Sequence, residues 1–154
     1  KEVVKLLKPF QCNILVNDIL NIEDFSKKNN LKIKSKEEIY RESDIISVHT
    51  PLTNETNNLI NKEAFSLMKS TSLIINTARG GLVNETDLEF SLKNKVIAGA
   101  ALDVYDTEPP VNENLIKLPN LICTPHIGGN SHEAVMKMGE SAINHLIRYK
   151  EKNI

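Results

Sequence analysis

The sequence is short of cysteine. Of 154 residues only Cys12 and Cys123 are cysteines, and they lie far apart. Such a pair fits no disulfide framework and points to a reducing, cytoplasmic setting. An excess of either charge is also lacking: 19 Lys and Arg stand against 20 Asp and Glu, a formal net charge of −1. That excludes a nucleic-acid binder working through bulk positive charge. No apolar run approaches the roughly 18 residues of a membrane helix, and no secretory signal opens the chain. Internal repeats, low-complexity tracts and linkers are absent. So is a metal motif, because Cys123, His126 and His49 find no fourth ligand at suitable spacing. What is present is ordinary for a soluble globular protein, with 40% hydrophobic and 25% charged residues. The length suits one domain with a sizeable core.

Short β-rich runs alternate with helical ones. Strands are expected over 12–17, 44–48, 72–76, 96–102 and 121–123. These are continuous apolar runs, as for strands covered on both faces. Helices are expected over 36–41, over 62–68 after Asn61, and over 85–93 after Asn84, with Asp87 at a capping-box position. A last helix starts at the cap Ser131 and runs to about 150, with Val135, Met138, Ala142, Ile143, Leu146 and Ile147 on one stripe. Repeated β-then-α units imply an α/β fold with a doubly wound parallel sheet of Rossmann type. The first ten residues read as a helix already under way, without a cap or a preceding strand. A doubly wound domain opens with a strand and a glycine-rich turn before that helix. The expectation is therefore a fragment lacking the first strand and the phosphate-binding turn. In the order 3-2-1-4-5-6 its two neighbouring strands would have unpaired edges, relieved by upstream residues or by pairing between molecules.

Chemistry-bearing residues gather just past the strand ends, where open α/β sheets bind ligands. Asp18 follows the first strand. It reads either as a turn aspartate or as an acceptor for the ribose hydroxyls of a dinucleotide, and its charge would favour NAD over NADP. His49-Thr50-Pro51-Leu52-Thr53 follows the second, either a turn set by Pro51 or a ligand loop. Asn76-Thr77-Ala78-Arg79-Gly80-Gly81 follows the third. There Arg79 offers a planar fork for a carboxylate and the glycines allow close approach. Asp103 ends the fourth, with Glu108 five residues on. Thr124-Pro125-His126-Ile127-Gly128-Gly129 follows the fifth. A histidine and a carboxylate at one sheet edge are the minimum for acid/base chemistry, because the carboxylate sets the imidazole's orientation and tautomer. Taken alone, His126 is as readily a capping or core histidine. His132 and His145, on the last helix, stay in that class.

In this order and spacing, His49–Thr53, Asn76–Val83, Ala98–Val104, Thr107-Glu108-Pro109 and Thr124–Gly129 resemble the cofactor domain of the D-isomer-specific 2-hydroxyacid dehydrogenases, the group that includes D-3-phosphoglycerate dehydrogenases. The resemblance runs from Lys1 to about His145. It implies an NAD-binding domain over 1–130, and over 131–154 a helix that returns toward a separate substrate domain. It implies catalytic roles for Arg79 (grip on the substrate carboxylate), His126 (proton donor and acceptor) and Glu108 (its partner). Asp18 would anchor the adenosine ribose and Asp103 the nicotinamide carboxamide. Thr50, Pro51, Thr56, Thr77, Ala78, Gly128 and Gly129 fall on cofactor-contacting stretches, and Arg79 and His126 are implied as cofactor-binding residues too. The implied reaction is hydride transfer between NAD and a small 2-hydroxy or 2-keto acid. Members commonly form dimers or tetramers, which implies a homo-oligomer; neither nucleic acid nor membrane is implied as a partner. Two alternatives stand beside it: a non-catalytic NAD-binding or assembly module, and a formate dehydrogenase relative. Glu108 speaks against the latter, since those enzymes usually carry Gln there.

Overall fold

The computed structural model describes residues 1–153. Helix α1 (Glu2–Leu7) runs into a 3-10 turn (Lys8–Phe10), followed by β1 (Leu15–Val16), α2 (Glu23–Asn29), β2 (Lys32–Ile33) and α3 (Lys36–Glu42). Then come β3 (Ile45–Val48), α4 (Lys62–Leu67), β4 (Leu73–Asn76), α5 (Glu85–Lys93), β5 (Gly99–Leu102), α6 (Glu113–Ile116), β6 (Leu121–Cys123) and α7 (His132–Asn153).

Side-chain caps mark where the helices start, because each satisfies amides that have no partner in the first turn. Ser35 and Glu38 form a complete capping box on α3. Asn61, Asn84 and Asn112 accept from Ala64 N, Asp87 N and Leu115 N at the starts of α4, α5 and α6. Ser131 accepts from Ala134 N on α7. The capping box expected at Asn84 is not completed. The Asp87 carboxylate instead accepts Lys62 N at 2.9 Å, tying α5 to the start of α4.

Strands β3-β4-β5-β6 form a parallel sheet in sequence order, and β1-β2 form a separate parallel pair. This is the Rossmann-like α/β arrangement expected. Among the described residues no strand stands between β1 and β3, so each is the edge of its sheet. Helices α3 to α6 cover one face of the larger sheet. Ile46, Val48, Ile74, Ala100 and Leu102 pack there with Tyr40, Phe65, Leu88, Leu92 and Leu115 in one core. Each large buried apolar side chain contributes about 1.5–3 kcal/mol of transfer free energy.

The other face departs from expectation. Ile45 (58% exposed), Leu73 (41%) and Ile122 (69%) are open, so the apolar runs are not covered on both sides. The stripe on α7 is open as well, with Met138, Ile143 and Leu146 exposed. An apolar run records that a surface is suited to burial; the described residues supply cover for one face only. The first strand shrinks from 12–17 to half-buried Leu15–Val16. The run 96–102 becomes strand only at Gly99, because Lys95 turns at φ 55° and Val96 N bonds back to Ser91 O. No helix of the described residues is long and apolar enough to cross a membrane.

Candidate active site

The site is built where β3, β4, β5 and β6 end, and each strand hands a polar loop to the same edge. At the end of β4, buried Asn76 folds the following turn: its Oδ1 accepts Ala78 N at 3.0 Å and its Nδ2 donates to Arg79 O at 2.9 Å. The exposed Arg79 side chain leaves from this turn, with Nη1 donating to Ala78 O at 2.6 Å. Gly80 is required by a close approach: a Cβ there would lie 1.9 Å from Tyr105 O in the next loop. Gly81 sits at φ 77° and donates its N–H to Asp106 Oδ1 at 2.7 Å.

At the end of β5, buried Asp103 accepts three donors: the Thr124 hydroxyl at 2.5 Å, Ile127 N at 2.9 Å and Gly128 N at 2.8 Å. Burial by itself would push this carboxyl up. The three hydrogen bonds, helped by nearby His126, outweigh it and hold the group below its usual range. This clamp brackets His126, whose φ of 53° is left-handed, a region that costs a non-glycine residue about 1–3 kcal/mol. The strain is offset by the bonds made by its two C-terminal neighbours. Gly128 completes the fit, since a Cβ there would lie 2.9 Å from Asp103 Oδ2.

So held, His126 meets Glu108 across 18 residues of sequence, Nδ1 to Oε2 at 2.8 Å. The second Glu108 oxygen accepts Tyr105 N at 3.2 Å. The hydrogen bond from His126, and then that from Tyr105 N, hold the Glu108 carboxyl below its ordinary value. An ionised carboxylate only accepts, so Nδ1 carries the hydrogen and Nε2 is the nitrogen left for proton exchange. Both side chains remain partly open, His126 at 47% and Glu108 at 39%. Tyr105 is buried behind them; burial pushes its phenol up, and its hydroxyl lies 3.0 Å from Thr124 O.

After β3, the Thr56 hydroxyl is spent on the loop itself, donating to Pro51 O at 2.7 Å and accepting Thr53 N. Thr50 Oγ1 is buried without a hydrogen-bond partner. His49 Nε2 lies 2.9 Å from Ser47 Oγ, and burial lowers its pKa. Thr77 is exposed, Ala78 half-buried, and Gly129 faces open space. Asp18 shares no described hydrogen bond with these residues; two residues past β1, it accepts Leu20 N at 3.0 Å.

The structure thus joins Glu108 to His126 and Asp103 to the His126 loop, and it sets the Arg79 turn against the loop that carries Glu108. No described hydrogen bond joins Arg79 itself to either member of the pair. Asn76, Tyr105 and Asp106, which shape these loops, were not singled out from the sequence. Only the position of Asn76 at a strand end hinted at its part.

Residues 1–128 match the family model of the D-isomer specific 2-hydroxyacid dehydrogenase, NAD binding domain. The chain belongs to this family. It is 41% identical over 152 residues to a glyoxylate reductase of Pyrococcus horikoshii, covering 99% of this chain and 46% of that one. It is 37% identical over 148 residues to a D-3-phosphoglycerate dehydrogenase of Bacillus subtilis, covering 96% and 28%. Among solved structures it matches a D-lactate dehydrogenase from Sporolactobacillus with a TM-score of 0.83 at 33% identity, covering 93% and 47%. It also matches the NAD-complexed 2-hydroxyacid dehydrogenase of Lactobacillus delbrueckii with a TM-score of 0.86 at 25% identity, covering 99% and 50%. The chain spans half the length of these relatives or less.

For a 2-hydroxyacid dehydrogenase the cofactor is NAD, and the residues present fit it. A buried hydroxyl without a partner costs about 1–3 kcal/mol, and Thr50 Oγ1 is such a group in the loop after β3. A ligand's polar group reaches it only if the loop opens, since the hydroxyl is shielded from solvent. The open space at Gly129 and the lone pair left on Asp103 Oδ2 offer further contacts.

Proposed function

We propose that the protein containing this chain transfers hydride between NAD and a D-2-hydroxy acid or its 2-keto acid. The observation that carries this reading is the His126–Glu108 contact at 2.8 Å, at the sheet edge beside the Arg79 turn. Asp18, Thr50, Pro51, Thr56, Thr77, Ala78, Arg79, Asp103, His126, Gly128 and Gly129 would hold the cofactor. Bound NAD supplies or takes up the hydride.

The remaining chemistry belongs to side chains of this chain. Glu108 holds the imidazole with Nδ1–H toward itself, so His126 Nε2 presents a proton to the substrate oxygen or removes one from it. Arg79 grips the substrate carboxylate through its planar fork and stabilises negative charge developing on the neighbouring oxygen. A fixed guanidinium and a fixed imidazole convert a chance encounter into an oriented one. We further propose a cytoplasmic enzyme that works as a homo-oligomer on a small-molecule substrate.

The test uses the full-length protein with NADH and a panel of 2-keto acids. His126→Ala should lower turnover about 10²–10⁴-fold and change NADH affinity, read by fluorescence titration, by a far smaller factor. Unaltered turnover in this variant would overturn the assignment.

A further inference from the structure

We propose that Asp106, held by Glu85, is a positioning residue that fixes the Arg79 turn relative to the Glu108–His126 pair. The inference rests on the dehydrogenase reading above and deepens it.

Three elements meet at Asp106. Its Oδ1 accepts Gly81 N at 2.7 Å, two residues past Arg79. Its own N–H donates to Glu85 Oε1 at 2.8 Å, in the first turn of α5. Glu108 lies two residues further along the same loop. Beside this latch the backbones at Gly80 and Tyr105 are in contact, so the two loops have no slack between them.

The Arg79 guanidinium is the group with most to lose. Its described side-chain bond is to the adjacent carbonyl of Ala78, so its place depends on the turn from which it projects. One end of that turn is fixed by Asn76 and the other by Asp106. His126 and Glu108 are fixed separately, by Asp103 and Tyr105 N. Asp106 is therefore the side chain that registers one half of the site against the other. Glu85 carries the latch on a helix; burial, with the charge of Asp106 adding, raises its carboxyl, while the bond from Asp106 N works the other way. A catalytic group displaced by about 1 Å can cost 10²-fold in rate, so a loosened turn has a measurable effect.

The test compares Asp106→Ala, Asp106→Asn and Glu85→Ala in the full-length enzyme. Asp106→Ala should raise KM for the 2-keto acid about 10-fold and lower kcat by a similar factor, with NADH affinity unchanged. Asp106→Asn keeps an acceptor for Gly81 N and should recover to within about 3-fold of the wild type. Without cofactor, Gly81 amide exchange should quicken about 10-fold in Asp106→Ala and stay near wild type in Asp106→Asn. If Asp106→Ala does not fold, Glu85→Ala should still raise KM for the 2-keto acid, by a smaller factor of about 3. Wild-type kinetics in Asp106→Ala, equal damage in the Asn and Ala variants, or loss of NADH affinity would each overturn the proposal. A wild-type protein that reduces no 2-keto acid would instead overturn the dehydrogenase reading, and Gly81 exchange would still decide whether the latch exists.

Discussion

Replacing Asp103 by Ala should release the loop that carries His126. The carboxylate accepts the Thr124 hydroxyl, Ile127 N and Gly128 N, all at 2.9 Å or less. A hydrogen bond to a charged group is worth about 1.5–3 kcal/mol. Once the clamp is gone, the left-handed conformation of His126 loses the two amide bonds of Ile127 and Gly128 that offset it. Losses in such a cluster do not add, so we take about 2 kcal/mol as the drop in the loop's opening free energy. Local opening governs amide exchange, and this drop corresponds to roughly 30-fold faster exchange at Ile127 and Gly128. Asp103→Asn gives a residue-resolved control. The amide oxygen can still serve Thr124 and Ile127, but its NH₂ would face Gly128 N–H, so Gly128 should speed up more than Ile127. The pH dependence follows from the depressed carboxyl. The contribution of the clamp is complete above the ordinary aspartate value near pH 4 and is lost as pH falls through the lower folded value. Hydrogen exchange read by mass spectrometry or NMR reports all of this directly. Unchanged exchange at Ile127 and Gly128 in Asp103→Ala would refute the idea that this carboxylate holds the loop.

Gly80→Ala should destabilise the protein by about 2–3 kcal/mol, because the new Cβ would lie 1.9 Å from a backbone oxygen; the denaturant midpoint measures it, and a midpoint equal to wild type would contradict the close approach. The Glu108 carboxyl should titrate below its ordinary value, and His126→Ala should bring it back up, since the imidazole is the first cause of its depression. Carboxyl-carbon NMR reads both midpoints; the bond to His126 therefore persists above the usual glutamate range and is lost as pH falls through the lowered value. Arg79→Lys should raise KM for the 2-keto acid by about 10-fold or more, because a point charge cannot replace a two-pronged donor, and steady-state kinetics at fixed NADH would show it.

The strand ends were legible because apolar runs stop abruptly at polar clusters, and β3, β4 and β6 lie within a residue of their expected positions. Caps worked equally well: Asn61, Asn84 and Ser131 each open the helix assigned to them. Helix α2 escaped notice because its one buried residue is Ser26, so it has no apolar stripe to read. Strand β2 is two exposed residues, and α6 is a single turn. The open face of the sheet was illegible for a different reason. Ile45, Leu73 and Ile122 look like core residues by composition, and only the arrangement of covering elements says otherwise. At the candidate site, residue types and the family resemblance drew attention to Arg79, Glu108 and His126, of which the structure joins the last two. The parts of Asn76, Asp103 and Asp106 in holding loops depend on which loop lies opposite, and one sequence does not contain that.

The pairing of β6 with β5 also ties the site to long-range contacts. In the folded chain the His126–Glu108 contact coexists with the pairing of Leu121–Cys123 and with the Asp103 clamp on the following loop. Contacts this distant in sequence are slow to gain during refolding, because chain entropy is lost before they reward it. The His126–Glu108 contact is thus a reporter of native β6 docking: a ring signal that shows the contact shows the strand in place as well.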